Sequence, residues 1–411
     1  MKYFTAFIIL FSINIGVSQN ITIDENYTPQ QLVENILINS GCASVTNVVV
    51  SGGNYPSGEK TFGYFNRNGS IFPIDEGVIL STGKVVNAPG PNISLLDDGG
   101  DIPWPGDNDL NTALGLSNSF NATVLEFDFI PQGNTISFDY LLSSEQYLTN
   151  PTSNQCNFTD GFAFLLREVG TTNYQNLAII PGTNTPIKVN TVRGSGTICP
   201  AANEQYFDAF NDTNYPTNFN GQTIVLTAQA TVIPNTQYHI KLVIADEGNH
   251  RYDSAIFLKA GSFNTNVNLG EDRLIANGNP VCNNQLPFTL ATNSSGNHRW
   301  FFNGNEIIGQ TNPTLEINQS GTYAVIVDIA GCTPSPTDEI VIEIAPDLII
   351  DNPTFTKCDE DAIQDGITQF TQLDFNTIAN QLFTNLPANY QIGFLKPLLV
   401  LLKLEFLTQT Q

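Results

Sequence analysis

Hydrophobic and polar residues alternate along two neighbouring segments in the first third of the chain. Leu125, Phe127 and Phe129 fall on one side of an extended backbone, and the residues between them are acidic. The same alternation returns over residues 136–140, after a turn at residues 131–134 that contains proline, glycine and asparagine. The pattern predicts antiparallel strands that bury one face, and loops at the ends of such strands are where binding groups usually lie.

Further strands are predicted from residue 20 to about residue 265, separated by turns rich in Gly, Pro, Asn and Asp. Helical spacing of apolar residues occurs only near residues 29–38. Five more short strands follow from residue 266 to residue 346, with Trp300 as the expected core aromatic. The predicted fold class is therefore all-β: a large jelly-roll-like β-sandwich followed by a small Ig-like β-sandwich.

The composition indicates a folded, exported protein. Hydrophobic residues make up 41% of the 411 residues, which is enough to form proper cores. The formal net charge of −24 disfavours nucleic acid and anionic membrane surfaces as partners. Residues 1–18 combine Lys2, an apolar run too short to span a membrane, and small residues, which predicts a signal peptide. We expect a secreted or cell-surface protein with no membrane span in the mature chain.

Six cysteines are scattered singly along the chain, and this spacing disfavours a zinc site. In an exported chain they are expected to form disulfides. The favoured pairs are Cys156 with Cys199 and Cys282 with Cys332, because the members of each pair lie within one compositional segment. No partner is assigned to the other two, Cys42 and Cys358.

Several motifs occur in order between residues 40 and 263: GVILSTGKV, PGDNDL, VLEFDFIPQGNTISFDYLLSSEQY, FTDGFAFLL, NLAIIPGTNTPI and KLVIADEGNHRYDSAIFLKAGSF. Together they resemble the choice-of-anchor L domain of secreted surface proteins of Bacteroidetes-type bacteria. The resemblance implies a large exported protein whose C-terminal anchoring or sorting modules vary. It implies no particular biochemical role for the domain itself.

The later segments resemble other surface-protein modules. SGTYAVIV within residues 266–346 resembles Ig-like or PKD-like modules, and residues 347–394 resemble the opening of a repeat in gliding-motility-associated and adhesin-like proteins. That repeat is expected to be incomplete. The Leu-rich tail, residues 395–411, departs abruptly from the preceding composition and is interpreted as a frameshift product or truncated gene, or alternatively as a short amphipathic helix. The predicted domains are therefore residues 1–18 (signal peptide), 19–265, 266–346, 347–394 and 395–411.

Acidic loops provide the main candidate chemistry. Calcium takes six to eight oxygen ligands from carboxylate-rich loops, and several such loops follow or precede predicted strands. The alternative is that these Asp and Asn residues serve only as turn formers. The EF-hand pattern is absent. The residues predicted to bind calcium are Asp107, Asp109, Glu145, Asp160, Asp246 and Asp253.

Aromatic residues in loops suggest a second kind of site. Trp104 and Tyr147 lie among Asp and Asn residues, where aromatic faces could stack on sugar rings. The alternative for Trp104, which lies between two prolines, is that it closes its loop onto the sandwich. Catalysis has little support, because the three histidines fall in no nucleophile, phosphate or metalloprotease motif.

These observations predict an exported, non-enzymatic, adhesin-like protein of the cell surface or medium, with loops stabilised by calcium. Its expected partner is a surface glycan or protein. The alternative is a glycan-binding, lectin-like module of a polysaccharide-targeting protein. A glycoside hydrolase using a carboxylate pair is the weakest of the three hypotheses.

Overall fold

The computed structural model describes residues 19–38, 42–347 and 371–382. Contacts divide the chain into two units: Met1–Val267 with Asn293–Gly296 and Asp328–Pro336 form the first, and the remaining residues from Asn268 onward form the second. The predicted signal peptide, the Leu-rich tail and most of the predicted incomplete repeat lie outside the described residues.

Fourteen strands and three short α-helices form the described part of the first unit. Helix α1 (Pro29–Gln31) continues into a π-helix (Leu32–Ile38), as the helical spacing predicted, and α2 (Asp98–Asp101) and α3 (Asn108–Leu114) follow. Single 3₁₀ turns span Val85–Asn87, Ser153–Asn157 and Glu204–Tyr206. The strands are β1 (Thr22–Asp24), β2 (Ala43–Ser51), β3 (Phe62–Asn66), β4 (Glu76–Ser81), β5 (Ser119–Pro131), β6 (Thr135–Ser144), β7 (Gly161–Glu168), β8 (Gln175–Asn176), β9 (Phe207–Phe210), β10 (Gly221–Thr223), β11 (Leu226–Thr231), β12 (Tyr238–Glu247), β13 (Ser254–Lys259) and β14 (Asn264–Asn266).

The strands of the first unit form two antiparallel sheets. The larger has the order β1-β3-β4-β13-β6-β10-β9, with β11 and β14 also paired to β6. The smaller has the order β2-β5-β12-β7-β8. Strand β13 lies between β4 and β6, so that Ser254 is opposite Ser144, whereas Ala245 near the end of β12 is opposite Gly161 at the start of β7.

The main core lies between the inner faces of these two sheets. Every second residue of β5, β7 and β12 from one sheet meets every second residue of β4, β6 and β13 from the other. The predicted inward set is confirmed, because each member is at most 1% exposed: Leu125, Phe127, Phe129, Ile136, Phe138 and Tyr140. The all-β prediction and the large β-sandwich are thus confirmed. Helix α3 covers part of the outer face of the smaller sheet with Leu110 and Leu114.

The second unit is also built of strands within its described residues. They form a two-stranded sheet (β16, β19), a four-stranded sheet of order β18-β17-β20-β21 and a parallel pair (β15, β22). Trp300 is fully buried and donates its indole N–H to the carbonyl of Asn312 at 2.9 Å, which confirms it as a core residue. Helix α4 spans Gln372–Leu382. The strands are β15 (Val281–Cys282), β16 (Phe288–Ala291), β17 (Asn297–Phe302), β18 (Asn305–Glu306), β19 (Thr314–Ile317), β20 (Gly321–Asp328), β21 (Thr337–Ile342) and β22 (Ile344–Ala345).

The disulfides match one of the two predicted pairs. Cys156 is bonded to Cys199, as expected, but the predicted bond between Cys282 and Cys332 is wrong: Cys332 is bonded to Cys42 instead. The physical reason is that the segment Asp328–Pro336 packs with the first unit, next to the start of β2, although it lies within the span of the second unit in sequence. Among the described residues, Cys282 is exposed and free. Cys358 lies outside them.

Candidate functional site

A layer of polar side chains closes one end of the main core. Ile240, Leu242 and Ile244 of β12 alternate into that core, and the next residue with the same orientation is Asp246. In the same way Asp160 precedes the inward Phe162 of β7 by two residues. The larger sheet ends its inward series in hydroxyl residues, which are Thr82 after β4, Ser144 in β6 and Ser254 in β13.

Strand β5 is irregular beside this layer. Ile244 is opposite Thr123 and Asp246 is opposite Phe120, so β5 carries one more residue than β12 in this interval. A β-bulge of this kind redirects side chains locally. Asn121, which has a φ of 52°, is fully buried there and donates to the carbonyl of Gly99 at 3.3 Å. The bulge therefore brings the loop before α3 against the polar layer.

Asp246 is the most unusual member of the layer. It is 0% exposed, and neither of its carboxylate oxygens accepts a hydrogen bond of full geometry, although the Thr82 hydroxyl is close enough to interact with it. Burial raises its pKa well above the usual range, and the charges of Asp160 and Asp253 add to this effect, whereas the nearby hydroxyl of Thr82 opposes it. A buried carboxylate without partners is costly, so it requires either a proton or a cation.

Asp160 spans the gap between the two sheets. One oxygen accepts a hydrogen bond from the Ser254 hydroxyl at 2.7 Å, and the other accepts one from the backbone N–H of Glu247 at 3.1 Å. The Ser144 hydroxyl lies 2.8 Å from that of Ser254. Burial raises the pKa of Asp160, the two hydrogen bonds oppose this, and the charge of Asp253 adds to it.

Two further buried carboxylates bind residues 96–99, which comprise the end of a loop and the start of α2 and are called the 96–99 loop below. Asp253 accepts from the backbone N–H groups of Asp98 at 2.9 Å and Gly99 at 3.3 Å. Glu145 accepts from the N–H of Leu96 at 3.3 Å. Burial is the main cause that raises the pKa of Glu145 to about 8 and that of Asp253 to about 7, with the loop N–H groups opposing it.

Asp97 adds a fifth carboxylate at the edge of this group. One of its oxygens is paired with the guanidinium of Arg251 at 2.9 Å, whereas the other is buried and has no hydrogen-bonding partner. The charge of Asp97 contributes to the raised pKa of Glu145, Asp253 and Asp246, so it lies close to all three. We call Asp97, Glu145, Asp160, Asp246 and Asp253 the carboxylate cluster.

The structure brings together four of the six residues predicted to bind calcium. In the described ranges, however, no group of three or more His, Cys, Asp or Glu side chains is placed so that it could hold a metal ion. Asp107 and Asp109 are not in the cluster. Both bind the ammonium group of Lys241, at 2.5 and 2.8 Å, on the outer face of the smaller sheet. Asp107 and Asp109 therefore lie apart from the other four predicted residues, where both are paired with Lys241.

The two aromatic residues predicted to bind a ligand have structural partners. Tyr147 is 0% exposed and donates its hydroxyl to the carbonyl of Val192 at 2.9 Å. Trp104 is half-buried, donates its indole N–H to the carbonyl of Ala122 at 2.8 Å and lies over Gly53. Tyr147 therefore offers no ring face to a sugar, and Trp104 closes its loop, as the alternative interpretation held.

The hydroxyl residues of the polar layer were not predicted from the sequence, and Asp97, although it belongs to an acidic loop, was not among the six residues predicted to bind calcium. A signal for them exists, because each inward series of apolar residues ends in a polar residue at the same end of the sandwich. That common end becomes visible only when the pairing of β6 with β13 and of β7 with β12 is known.

A comparison with family models finds a match to the choice-of-anchor L domain over residues 20–264, more than half of the chain. The chain belongs to the choice-of-anchor L domain family. No curated protein matches it at a significant level. Membership of this non-enzymatic family and the two disulfides indicate an extracellular, surface-associated protein. In the described segments, no helix has the length and apolar character needed to cross a membrane. The carboxylate cluster lies wholly within the choice-of-anchor L domain.

Proposed function

We propose that this choice-of-anchor L protein is a non-enzymatic, adhesin-like binding protein whose domain is stabilised by a calcium ion in the carboxylate cluster. The observation that carries the proposal is Asp246, a fully buried carboxylate that lies near the Thr82 hydroxyl but accepts no hydrogen bond of full geometry. In a protein interior such a group is expected to have a hydrogen-bonding partner, an ion pair or a metal ion.

The surrounding charges favour a cation over further hydrogen bonds. Five carboxylates converge on one end of the sandwich, and the guanidinium of Arg251 pairs with only one of them. Without a cation they repel one another, and burial and mutual repulsion raise the pKa of Glu145 and of Asp253 into the neutral range. A divalent cation reverses this effect because it favours the ionised form of every carboxylate around it.

The donor atoms are of the kind that calcium prefers. Calcium binds carboxylate, hydroxyl, carbonyl and water oxygens in flexible geometry at six to eight positions. Asp246, Asp160 and the free oxygen of Asp97 supply carboxylate oxygens, and Thr82 supplies a neighbouring hydroxyl. The proposal requires these side chains to rearrange on binding, since no three of the described carboxylates are placed so that they could hold a metal ion.

The burial of the site defines the role of the ion. Asp160 and Asp246 are both 0% exposed, so an ion between them is out of reach of an external ligand. It would act by joining strands of both sheets and the 96–99 loop, and the binding surface would lie on the loops around it. The lectin-like alternative has less support, because Tyr147 is buried and the indole N–H of Trp104 is hydrogen-bonded within the protein.

Thermal unfolding with and without calcium tests the proposal. A ligand at a hundredfold excess over its Kd stabilises the native state by about 2.7 kcal/mol, which raises Tm by about 5–10 °C for a domain of this size. The chelator EGTA should reverse the shift. Asp246→Asn should abolish it, and the matched control Asp109→Asn should retain it, since Asp109 binds Lys241 and not the cluster.

Two results would contradict the proposal. The first is an unchanged Tm at millimolar calcium in the wild-type protein. The second is a calcium shift that survives Asp246→Asn, whatever its size in Asp109→Asn. Without calcium, Asp246→Asn should leave Tm unchanged or raise it, because the substitution removes an unpaired buried charge.

A further inference from the structure

An open groove of about 390 Å³ lies beside the carboxylate cluster, in the first unit. Its wall is the segment from Pro89 to Asp98, which continues into the 96–99 loop that Glu145 and Asp253 bind. Its size suits one or a few side chains of a partner. The lining residues are Val86, Asn87, Pro89, Gly90, Pro91, Ile93, Ser94, Leu95, Leu96, Asp98 and Asn218.

Three large aliphatic side chains at this groove point into solvent. Ile93 is 72% exposed, Leu95 is 54% exposed and Val86 is 41% exposed. Single exposed apolar residues are ordinary on protein surfaces, but a cluster of them around a concave surface marks an interaction site.

The backbone of the segment that carries Ile93 and Leu95 is fixed by hydrogen bonds to Asn218 and by the buried side chain of Leu96. The side-chain carbonyl of Asn218 accepts from the backbone N–H groups of Ile93 at 3.2 Å and Ser94 at 3.3 Å. Its amide donates to the Ser94 hydroxyl at 2.8 Å, and the neighbouring Leu96 is buried in the core. The two exposed side chains are therefore presented on a fixed backbone, and such preorganisation lowers the entropy cost of binding.

The charge and composition of the lining select among possible occupants. Among the described residues, Asp98 is the one charged residue that lines the groove. One of its oxygens accepts hydrogen bonds from the side-chain amide of Asn87 at 2.7 Å and from the backbone N–H of Lys84 at 3.3 Å. The whole chain carries a formal net charge of −24. A second copy of the chain docked on the same groove would bring two Asp98 carboxylates together, and an anionic membrane or nucleic acid would be repelled. Within the part of the chain that the structure describes, no aromatic ring on which a sugar could stack lines the groove. A basic polypeptide remains.

We propose that this groove binds a protein partner through a segment in which a lysine or arginine lies next to an aliphatic side chain. The cationic group faces Asp98, and the aliphatic group packs against Ile93 and Leu95. The inference rests on the binding role proposed above, but it does not require the calcium ion.

Three fluorescein-labelled nine-residue peptides provide the probe. They carry Lys, Gln or Glu at the centre, leucine on both sides and Gly-Ser flanks. Binding is measured by fluorescence anisotropy with the full-length protein at low salt. The Lys peptide should bind about fivefold tighter than the Gln peptide, which is the effect expected of an exposed charge pair, and the Glu peptide should bind most weakly. Asp98→Asn should remove the preference for Lys, and added salt should weaken it.

Substitutions of the aliphatic wall complete the test. The double change Ile93→Ser and Leu95→Ser should weaken binding of the Lys peptide by about tenfold, because it removes apolar surface from the contact. Ile71→Ser is the control, since Ile71 is 77% exposed in the same unit and does not line the groove. Unchanged Tm values verify that the variants fold.

Three outcomes overturn the inference: no binding of the Lys peptide at 1 mM, equal binding of all three peptides, or equal weakening by Ile71→Ser. A calcium titration of the same protein separates this result from the proposed function. If calcium raises Tm but the Lys peptide does not bind, the groove inference fails and the calcium site stands. If the peptide binds but calcium has no effect, the reverse holds.

Discussion

The two disulfides close loops of very different length, and their removal should therefore have different effects on stability. Cys42 and Cys332 are separated by 290 positions, whereas Cys156 and Cys199 are separated by 43. In the chain-entropy model these loops correspond to about 5.7 and about 4.0 kcal/mol at 25 °C, both upper estimates. The shorter loop lies inside the longer one and shortens it only slightly, because the entropy depends on the logarithm of loop length.

Urea denaturation of paired Cys→Ser variants measures these contributions. The variant without Cys42 and Cys332 should lose more free energy of unfolding than the variant without Cys156 and Cys199, by about 1–2 kcal/mol. Cys282→Ser is the control and should change stability by less than about 0.5 kcal/mol, since Cys282 is exposed and free among the described residues. Peptide mapping without reduction should recover one peptide pair for each bond.

The result that would refute this reasoning is specific. If mapping recovers Cys282 linked to Cys332, the compositional argument from sequence was correct and the observed pairing is not the native one. If the pairing is as observed but removal of the shorter loop costs more, then native-state contacts around Cys156 outweigh loop entropy, and the chain-entropy model does not apply to this domain.

Two further substitutions probe residues near the site and on the outer sheet face. Tyr147→Phe removes the hydrogen bond to the carbonyl of Val192 and should lower the free energy of unfolding, measured by urea denaturation, by about 1 kcal/mol. It should not affect any glycan binding. Loss of glycan binding at unchanged stability would contradict the buried position of Tyr147. His239→Gln should destabilise more at pH 6 than at pH 9. The hydrogen bond to the carboxylate of Glu126 is the main cause that raises the folded-state pKa of His239 above 6.5. The stabilisation by protonated His239 is therefore complete below pH 6.5 and is lost as the pH rises through the folded-state pKa. Equal destabilisation by the substitution at both pH values, measured by urea denaturation, would contradict this prediction.

Alternation along single strands was sufficient to predict the core-facing residues. Leu125, Phe127 and Phe129 are inward because their period matches a strand with one buried face, and this signal is local. The neighbours of β6 could not be predicted in the same way. Strand β13 pairs with β6 although more than one hundred residues separate them in the sequence, and the hydrophobic pattern of a strand does not show which distant strand it pairs with.

The same limit separates the acidic residues that converge from those that do not. Asp246 and Asp253 lie on either side of one short loop, and Glu145 follows a strand, so their positions at strand ends could be predicted from the sequence. Asp107 is paired with Lys241, which lies more than 130 positions away in the sequence, within β12. A lysine at such a position indicates that a carboxylate is nearby, but not which one.

The polar layer also explains why the core ends where it does. An apolar residue at the position of Asp246 would extend the inner face by one more pair of side chains and bury additional surface. The chain instead has aspartate there, beside Asp160 and opposite a row of hydroxyl groups. Since a buried carboxylate is costly unless a proton or a cation compensates it, this aspartate is the reason for proposing a calcium ion here. The 96–99 loop is hydrogen-bonded to Glu145 and Asp253 and continues from the groove wall, so the proposed ion and the proposed partner site would share this loop.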